Sequence, residues 1–395
     1  MDFSSLTSVD GNLEIYPDYW DTLNFTGLTS VGGTLRVSYN YELIDLGFPA
    51  LTQAGTVQLQ NHYYLENLDL SALQTVENSL YISYMYDLET LDLGALESTD
   101  YAYLYYLSSV EELDLSSLTS TGTLQIRYFD DLESLDLPVL SHVDGSFNVG
   151  DMGIYELSAP ALTEVDGSLT LDDLDDLETA DFSALEEIDG SFTTYYLYYL
   201  EDLNLSSLVE IDGSVNLYSH GYYADDALFE APLLEQIDGN FYANTLGYWS
   251  ATSGIDLPAL TTVDGSFESY SQGYYADEGF VDLAALETID GDFRLSYFGM
   301  YAETAEIDAP ELTSTDDLYL YYVGYYANTT LNFPALLEVD SLYFYQLGYY
   351  GSVDHDFSAL ATVDGDFEIY ETTMTEFDDW GSLATVSDDF YLWYN

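Results

Sequence analysis

Residues 132–149 read LESLDLPVLSHVDGSFNV, and the fold is decided by how this stretch is read. Apolar and polar residues alternate in Leu135-Asp136-Leu137 and again in Phe147-Asn148-Val149, the period of a strand with one face buried. Leu135, Leu137, Leu140, Val143, Phe147 and Val149 are therefore expected inside, and Asp136 and Asn148 outside. Between the two runs, Asp144-Gly145 is turn chemistry, since glycine accepts positive φ and aspartate caps its own backbone. No window carries a 3.6-residue period, so no helix is expected.

The same phrase returns as LTSVDGNLEI from Leu6, LTEVDGSLTL from Leu162, LVEIDGSVNL from Leu208, LTTVDGSFES from Leu260, LETIDGDFRL from Leu286 and LATVDGDFEI from Leu360. Aligning the apolar residue after the turn gives Leu13, Leu35, Val57, Leu80, Ala102, Leu124, Phe147, Leu169, Phe192, Val215, Phe241, Phe267, Phe293, Leu318, Leu342, Phe367 and Phe390, spaced 22 to 26 residues apart. A fixed period in this range means a solenoid, in which each repeat buries its apolar face only against its neighbours. The expected fold is all-β: a parallel β-solenoid of about 17 coils over residues 1–395, with two or three short strands per coil. The coils change style along the chain. Residues 1–217 form short coils, residues 218–354 longer coils with an inserted G-Y-Y-like phrase, and residues 355–395 short terminal coils.

Phrases of the type F/L-P-A-L-T-x-V-x-G-x-L/F-x-I occur at Phe48 to Leu59, Leu137 to Val149, Leu257 to Phe267 and Phe333 to Phe344. They resemble the receptor L domain, the solenoid of short leucine-rich coils in insulin- and EGF-type receptor ectodomains and in fungal cell-wall glycoproteins; bacterial surface leucine-rich repeats are the nearest alternative. The resemblance implies a right-handed β-solenoid with an extracellular adhesive or ligand-binding role. The number of coils exceeds that of a receptor L domain, and no ligand-contact residue carries across.

The formal net charge is −70, from 73 acidic residues against Arg36, Arg127 and Arg294, with no lysine. Coils stacked ~4.8 Å apart would place nearly one charge per Å along the stack, denser than the one per ~1.7 Å of duplex DNA. Such a surface gathers cations and repels nucleic acid and anionic membrane, so neither is expected as a partner. No apolar run reaches the ~18 residues of a membrane span. The absence of cysteine removes disulfides, thiol nucleophiles and cysteine metal sites. An extracellular or cell-surface location fits the depletion of basic residues.

Catalytic residues are not expected. His62, His142, His220 and His355 lie several coils apart and cannot combine with one another, and no G-x-S-x-G elbow is present. Two other patterns stand out. Aspartates follow the buried aliphatic in successive coils: Asp144, Asp166, Asp189, Asp212, Asp238, Asp264 and Asp290, continuing to Asp316, Asp340 and Asp364. Like charges one rung apart repel, and a hard cation with oxygen ligands, calcium above all, would relieve this; otherwise each aspartate simply caps a solvated turn. The second pattern is aromatic: Tyr222, Tyr223, Tyr248, Trp249, Tyr274, Tyr275, Tyr301, Tyr325, Tyr326, Tyr349 and Tyr350 follow the inserted glycines. They are either a stacked ladder that stabilises the coils or a binding face for glycan or protein.

The functional expectation is a non-enzymatic extracellular structural or adhesive solenoid, with a carbohydrate-binding module using the Tyr/Trp strip as the alternative. No cofactor is required; calcium in the aspartate row is the one candidate. The first coil opens with Asp2-Phe3-Ser4-Ser5-Leu6, in phase with Leu113 to Leu118, and the last ends at Phe390 to Tyr394, so the further expectation is either head-to-tail stacking of copies into filaments or a fragment of a longer surface protein.

Overall fold

The structure is a computed structural model that describes residues 3–16, 19–374 and 380–393; Asp2 and Tyr394 of the end-stacking expectation lie outside them. It is an all-β parallel solenoid with no α-helix among the described residues. Contacts divide the chain into two compact units, residues 1–185 and 186–395.

In the first unit the main sheet stacks Leu13 on Leu35, Leu35 on Val57, Val57 on Leu80, Leu80 on Ala102, Ala102 on Leu124, Leu124 on Phe147 and Phe147 on Leu169. The second unit continues the pattern with Phe192 on Val215 and on through Phe241, Phe267, Phe293, Leu318, Leu342 and Phe367 to Phe390. Every such pair is parallel and in the register the repeat implies. Each coil adds a second, short strand, three residues long in the first unit, as in Ser134–Asp136. In the second unit these strands lengthen to five residues, from Asp226–Glu230 to Ser352–Asp356.

The expected interior is observed. Leu135, Leu137, Leu140, Val143, Phe147 and Val149 are buried, Asp136 is exposed, and Asn148 is half-buried among its neighbours one rung away. Burying each such leucine or phenylalanine contributes roughly 1.5–3 kcal/mol. In the second unit the core column becomes aromatic, with Phe241 and Phe267 rings 4.5 Å apart and nearly parallel, and Phe267 and Phe293 at 5.3 Å.

The turn chemistry differs from the expectation. The Asp-Gly glycines are not among the positive-φ residues. They are needed for close approach: a Cβ on Gly213 would lie 2.6 Å from the carbonyl of Gly190, and one on Gly167 2.7 Å from that of Gly145. Several of these glycines donate N–H to the glycine carbonyl of the previous coil, as Gly213 to Gly190 and Gly239 to Gly213 at 3.0 Å, while Gly365 donates to the Asp340 carbonyl. Nor does the Asp144 carboxylate close its own turn, since it contacts the His142 ring. Turn capping falls instead to the aspartates of the L-D-L phrases: Asp114 accepts from Ser116 N–H at 2.9 Å and Asp92 from Gly94 N–H at 3.0 Å.

The left-handed corner lies elsewhere, four residues after the aligned apolar positions from Leu35 to Phe367. From Tyr39 and Asn61 to Gln346 and Glu371, one non-glycine residue per coil has φ between 50 and 64°. This bend turns the chain out of the main sheet toward the short strand.

The glycine column makes a paired test. Gly213→Ala is expected to lower stability by about 1–3 kcal/mol, the cost of overpacking. Gly11→Ala, where nothing lies within 4 Å of the added Cβ, is expected to be near neutral. Denaturant midpoints measure both.

Candidate functional site

In the second unit, six coils carry an extra corner after the main strand. Its glycines, Gly221, Gly247, Gly273, Gly299, Gly324 and Gly348, all have φ between 52 and 57°, in the left-handed region. Space demands glycine as well: a Cβ on Gly221 would meet Ala227 Cβ at 2.6 Å. The two residues that follow point in different directions, so the Tyr/Trp strip becomes two files.

Tyr222, Tyr248, Tyr274, Tyr325 and Tyr349 form an inner, half-buried file, with Met300 in the same register. Ring centroids are 5.0 Å apart from Tyr222 to Tyr248 and from Tyr248 to Tyr274, and 5.2 Å from Tyr325 to Tyr349, with planes within 8°. The outer file is Tyr223, Trp249, Tyr275, Tyr301, Tyr326 and Tyr350, between 38 and 63% exposed. From Trp249 to Tyr350 its rings stack at 4.1 to 5.0 Å with planes 12 to 17° apart. The files stand nearly perpendicular, at 73° for Tyr274 against Tyr275 and 86° for Tyr349 against Tyr350. The backbone fixes the corner too: Tyr275 N–H bonds Tyr248 carbonyl and Tyr301 N–H bonds Tyr274 carbonyl, both at 3.0 Å.

The inner file is thus the packing ladder and the outer file the surface. Tyr275, Tyr301 and Tyr326 each carry a ring on both sides, so their π faces are covered. What solvent meets is a ridge of ring edges and phenol hydroxyls repeating every coil. A sugar that stacks on an aromatic face finds none open on these three rings.

The aspartates Asp144, Asp166, Asp189, Asp212, Asp238, Asp264 and Asp290 all lie exposed on the Asp-Gly turns. In the first unit, Asp144 and Asp166 converge on His142. Its Nε2 is 2.7 Å from Asp144 and 3.5 Å from Asp166, and its Nδ1 is 3.4 Å from Glu164. The ligand atoms of His142, Asp144 and Asp166 lie within 4.8 Å of one another. Comparing the histidines only with one another misses this group; the signal is the H-V-D spacing, which sets the strand residue His142 two positions before the turn residue Asp144. Among the described residues no such trio includes Asp212, Asp238, Asp264 or Asp290. Further along the column, Asp290, Asp316, Asp340 and Asp364 line one shallow groove with Glu338. The Asp316 carboxyl is raised there, first by burial and then by Asp340, Asp292 and Asp290.

Within the inner file, the phenols of Tyr248, Tyr274 and Tyr325 hold their protons more firmly than usual. Burial, then the neighbouring Tyr301, Tyr248 and Tyr275, push Tyr274 up to about 12. Tyr325 is pushed up to about 12 by burial and by Tyr350, Tyr326 and Tyr349. A phenol whose folded pKa exceeds its unfolded value keeps its proton longer in the folded state, so the unfolded state gains by ionising first. Stability is expected to fall as pH rises from about 10 to about 12, the window set by these two shifts. Tyr274→Phe with Tyr325→Phe should flatten that loss in pH-dependent denaturation, while leaving the midpoint near neutral pH little changed.

Compared with protein-family models, with curated proteins and with solved structures, the chain matches none of them.

Proposed function

We propose that this protein is a non-enzymatic extracellular solenoid with a structural or adhesive role at a cell surface, and that the outer aromatic file is its contact ridge. The supporting observation is the row Tyr223, Trp249, Tyr275, Tyr301, Tyr326 and Tyr350, exposed on successive coils and held rigid from behind by the inner file. Exposed contiguous aromatics on a charged surface mark interaction sites, and phenols combine apolar area with a hydrogen-bonding tip. The absence of lysine and the resemblance of the short coils to receptor L domains support the extracellular setting. The partner is a protein or glycan surface that is neutral or cationic, because the net charge of −70 repels anionic ones. Carbohydrate binding, the alternative, would proceed through phenol hydroxyls and ring edges.

Binding is read on immobilised neutral and cationic polysaccharides and on immobilised copies of this chain. Tyr275→Ala, Tyr301→Ala and Tyr326→Ala combined should lower retention on the bound surface at least tenfold with a shift of only a few degrees in melting temperature. Tyr274→Ala, from the inner file, should instead lower the melting temperature and leave retention intact. Undiminished binding by the triple variant removes the ridge from the reading.

Cations belong to the same proposal. The aspartate column collects calcium, and with its charge screened the edge strand Phe390–Trp393 of one copy stacks on Leu13–Ile15 of the next. Phe390 is 51% and Trp393 49% exposed, and Leu13 and Ile15 are half-buried. Calcium at matched ionic strength should raise the melting temperature, since a ligand of the folded state stabilises by mass action. Sedimentation should show concentration-dependent growth in calcium and in molar salt. An unchanged midpoint argues against calcium, and a strict monomer under both conditions argues against stacking.

A further inference from the structure

A second set of stacked phenols lies in the first unit, away from the ridge. Tyr84, Tyr106 and Tyr128 occupy the left-handed corner of three consecutive coils, with φ of 58, 53 and 64°. Their rings form a column: Tyr84 and Tyr106 lie 4.7 Å apart at 14°, and Tyr106 and Tyr128 lie 4.1 Å apart at 2°. The last pair is the tightest parallel contact between tyrosines among the described residues. The Tyr106 phenol holds its proton more firmly than usual, first through a hydrogen bond to the Tyr128 hydroxyl and then through burial. With the planes 2° apart and the centroids 4.1 Å apart, the ring carbons of the two phenols face one another at close to van der Waals contact.

That is the arrangement in which two phenoxyl radicals couple, because the new carbon–carbon bond forms perpendicular to both ring planes. We infer that Tyr106 and Tyr128 are a site of oxidative cross-linking, joined as dityrosine when a peroxide-driven one-electron oxidant reaches the protein. Each phenol gives up one electron and its hydroxyl proton. The radicals join ortho to ortho, and the two ortho hydrogens then pass to the oxygens as the rings regain aromaticity. Two electrons and two protons leave in all, and reduce one hydrogen peroxide to two waters. The product staples coils whose backbones already pair, Tyr106 N–H donating to Arg127 carbonyl at 3.2 Å. It closes a loop in the unfolded chain, and a cross-link that restricts the unfolded state stabilises the fold. The reaction needs this ring geometry alone, whatever the exposed ridge binds.

The test treats dilute protein with a haem peroxidase and hydrogen peroxide, digests it at acidic residues and maps cross-linked peptides by mass spectrometry. The expected main product joins Tyr106 to Tyr128 within one chain and raises the melting temperature by several degrees. Tyr106→Phe keeps the stacked ring and removes the phenol. It should melt like the parent before oxidation, lose the mapped cross-link, and gain no stability afterwards. Dityrosine that joins separate chains only, that spreads over exposed tyrosines such as Tyr19 and Tyr64, or that persists between these peptides in the variant overturns the assignment.

Discussion

Parallel strands paired in register force like onto like. Because each coil repeats the phrase of the previous one, many side chains meet their own kind about 4.8 Å away, and the sequence has to choose residues that tolerate such company. Phenylalanine does, as Phe241, Phe267 and Phe293 show in the core. Glycine does, since only its bare backbone fits against the glycine carbonyl below. Threonine and serine do as well: Thr119, Ser141 and Thr163 each hand a hydroxyl hydrogen bond to the carbonyl one coil back, at 2.9 to 3.0 Å. Tyrosine satisfies the constraint on the surface, where a stacked phenol covers its neighbour's face and still wets its own hydroxyl.

Carboxylates do not tolerate it, and the structure handles them in several ways. The L-D-L aspartates turn back on local N–H groups, as Asp114 does to Ser116. Amides alternate with acids in some rungs, as where Asn67 donates to Asp45 at 2.6 Å. Arg127 is shared between Asp151 and Asp172. Where crowding remains the proton is held more firmly: burial, then Asp256 and Asp308, raise Asp282 even though it accepts from Ala284 N–H at 3.1 Å. With only three basic side chains in 395 residues, most of the remaining charge is left to the ions of the solvent.

The backbone register was legible because it depends on a period, and a period survives any ambiguity in single residues. Leu13 through Phe390 could be aligned on paper, and the observed pairs fall at those positions. What a one-dimensional pattern cannot carry is direction within a corner. Adjacent tyrosines such as Tyr274 and Tyr275 look equivalent in sequence, yet a left-handed glycine before them turns one inward and one outward. Likewise, Asp-Gly was read by its usual turn propensity, whereas contact with the coil below decides that position. The true left-handed corner is filled by Tyr, Asn, Asp, Ser, Thr, Gln and Glu, which share no sequence signature, so only its constant offset from the aligned apolar residue marks it. The group around His142 is hidden for a related reason: its partners Asp144, Glu164 and Asp166 come from its own coil and from the next, not from other histidines.

Charge and aromatic ridge are best understood together. A flat, regular row of exposed rings on a sheet-like surface is an association hazard, because any two copies present the same spacing and can interdigitate. The dense negative field opposes such contact at long range and weakens as salt shortens the Debye length, from about 10 Å at 0.1 M to about 3 Å at 1 M. An aromatic surface of this kind is therefore compatible with dispersed molecules only while the carboxylates around it stay ionised and unscreened. The acidic composition does not specify the fold, which the apolar period determines. It sets the ionic conditions under which a surface built by in-register stacking stays separate from its own copies.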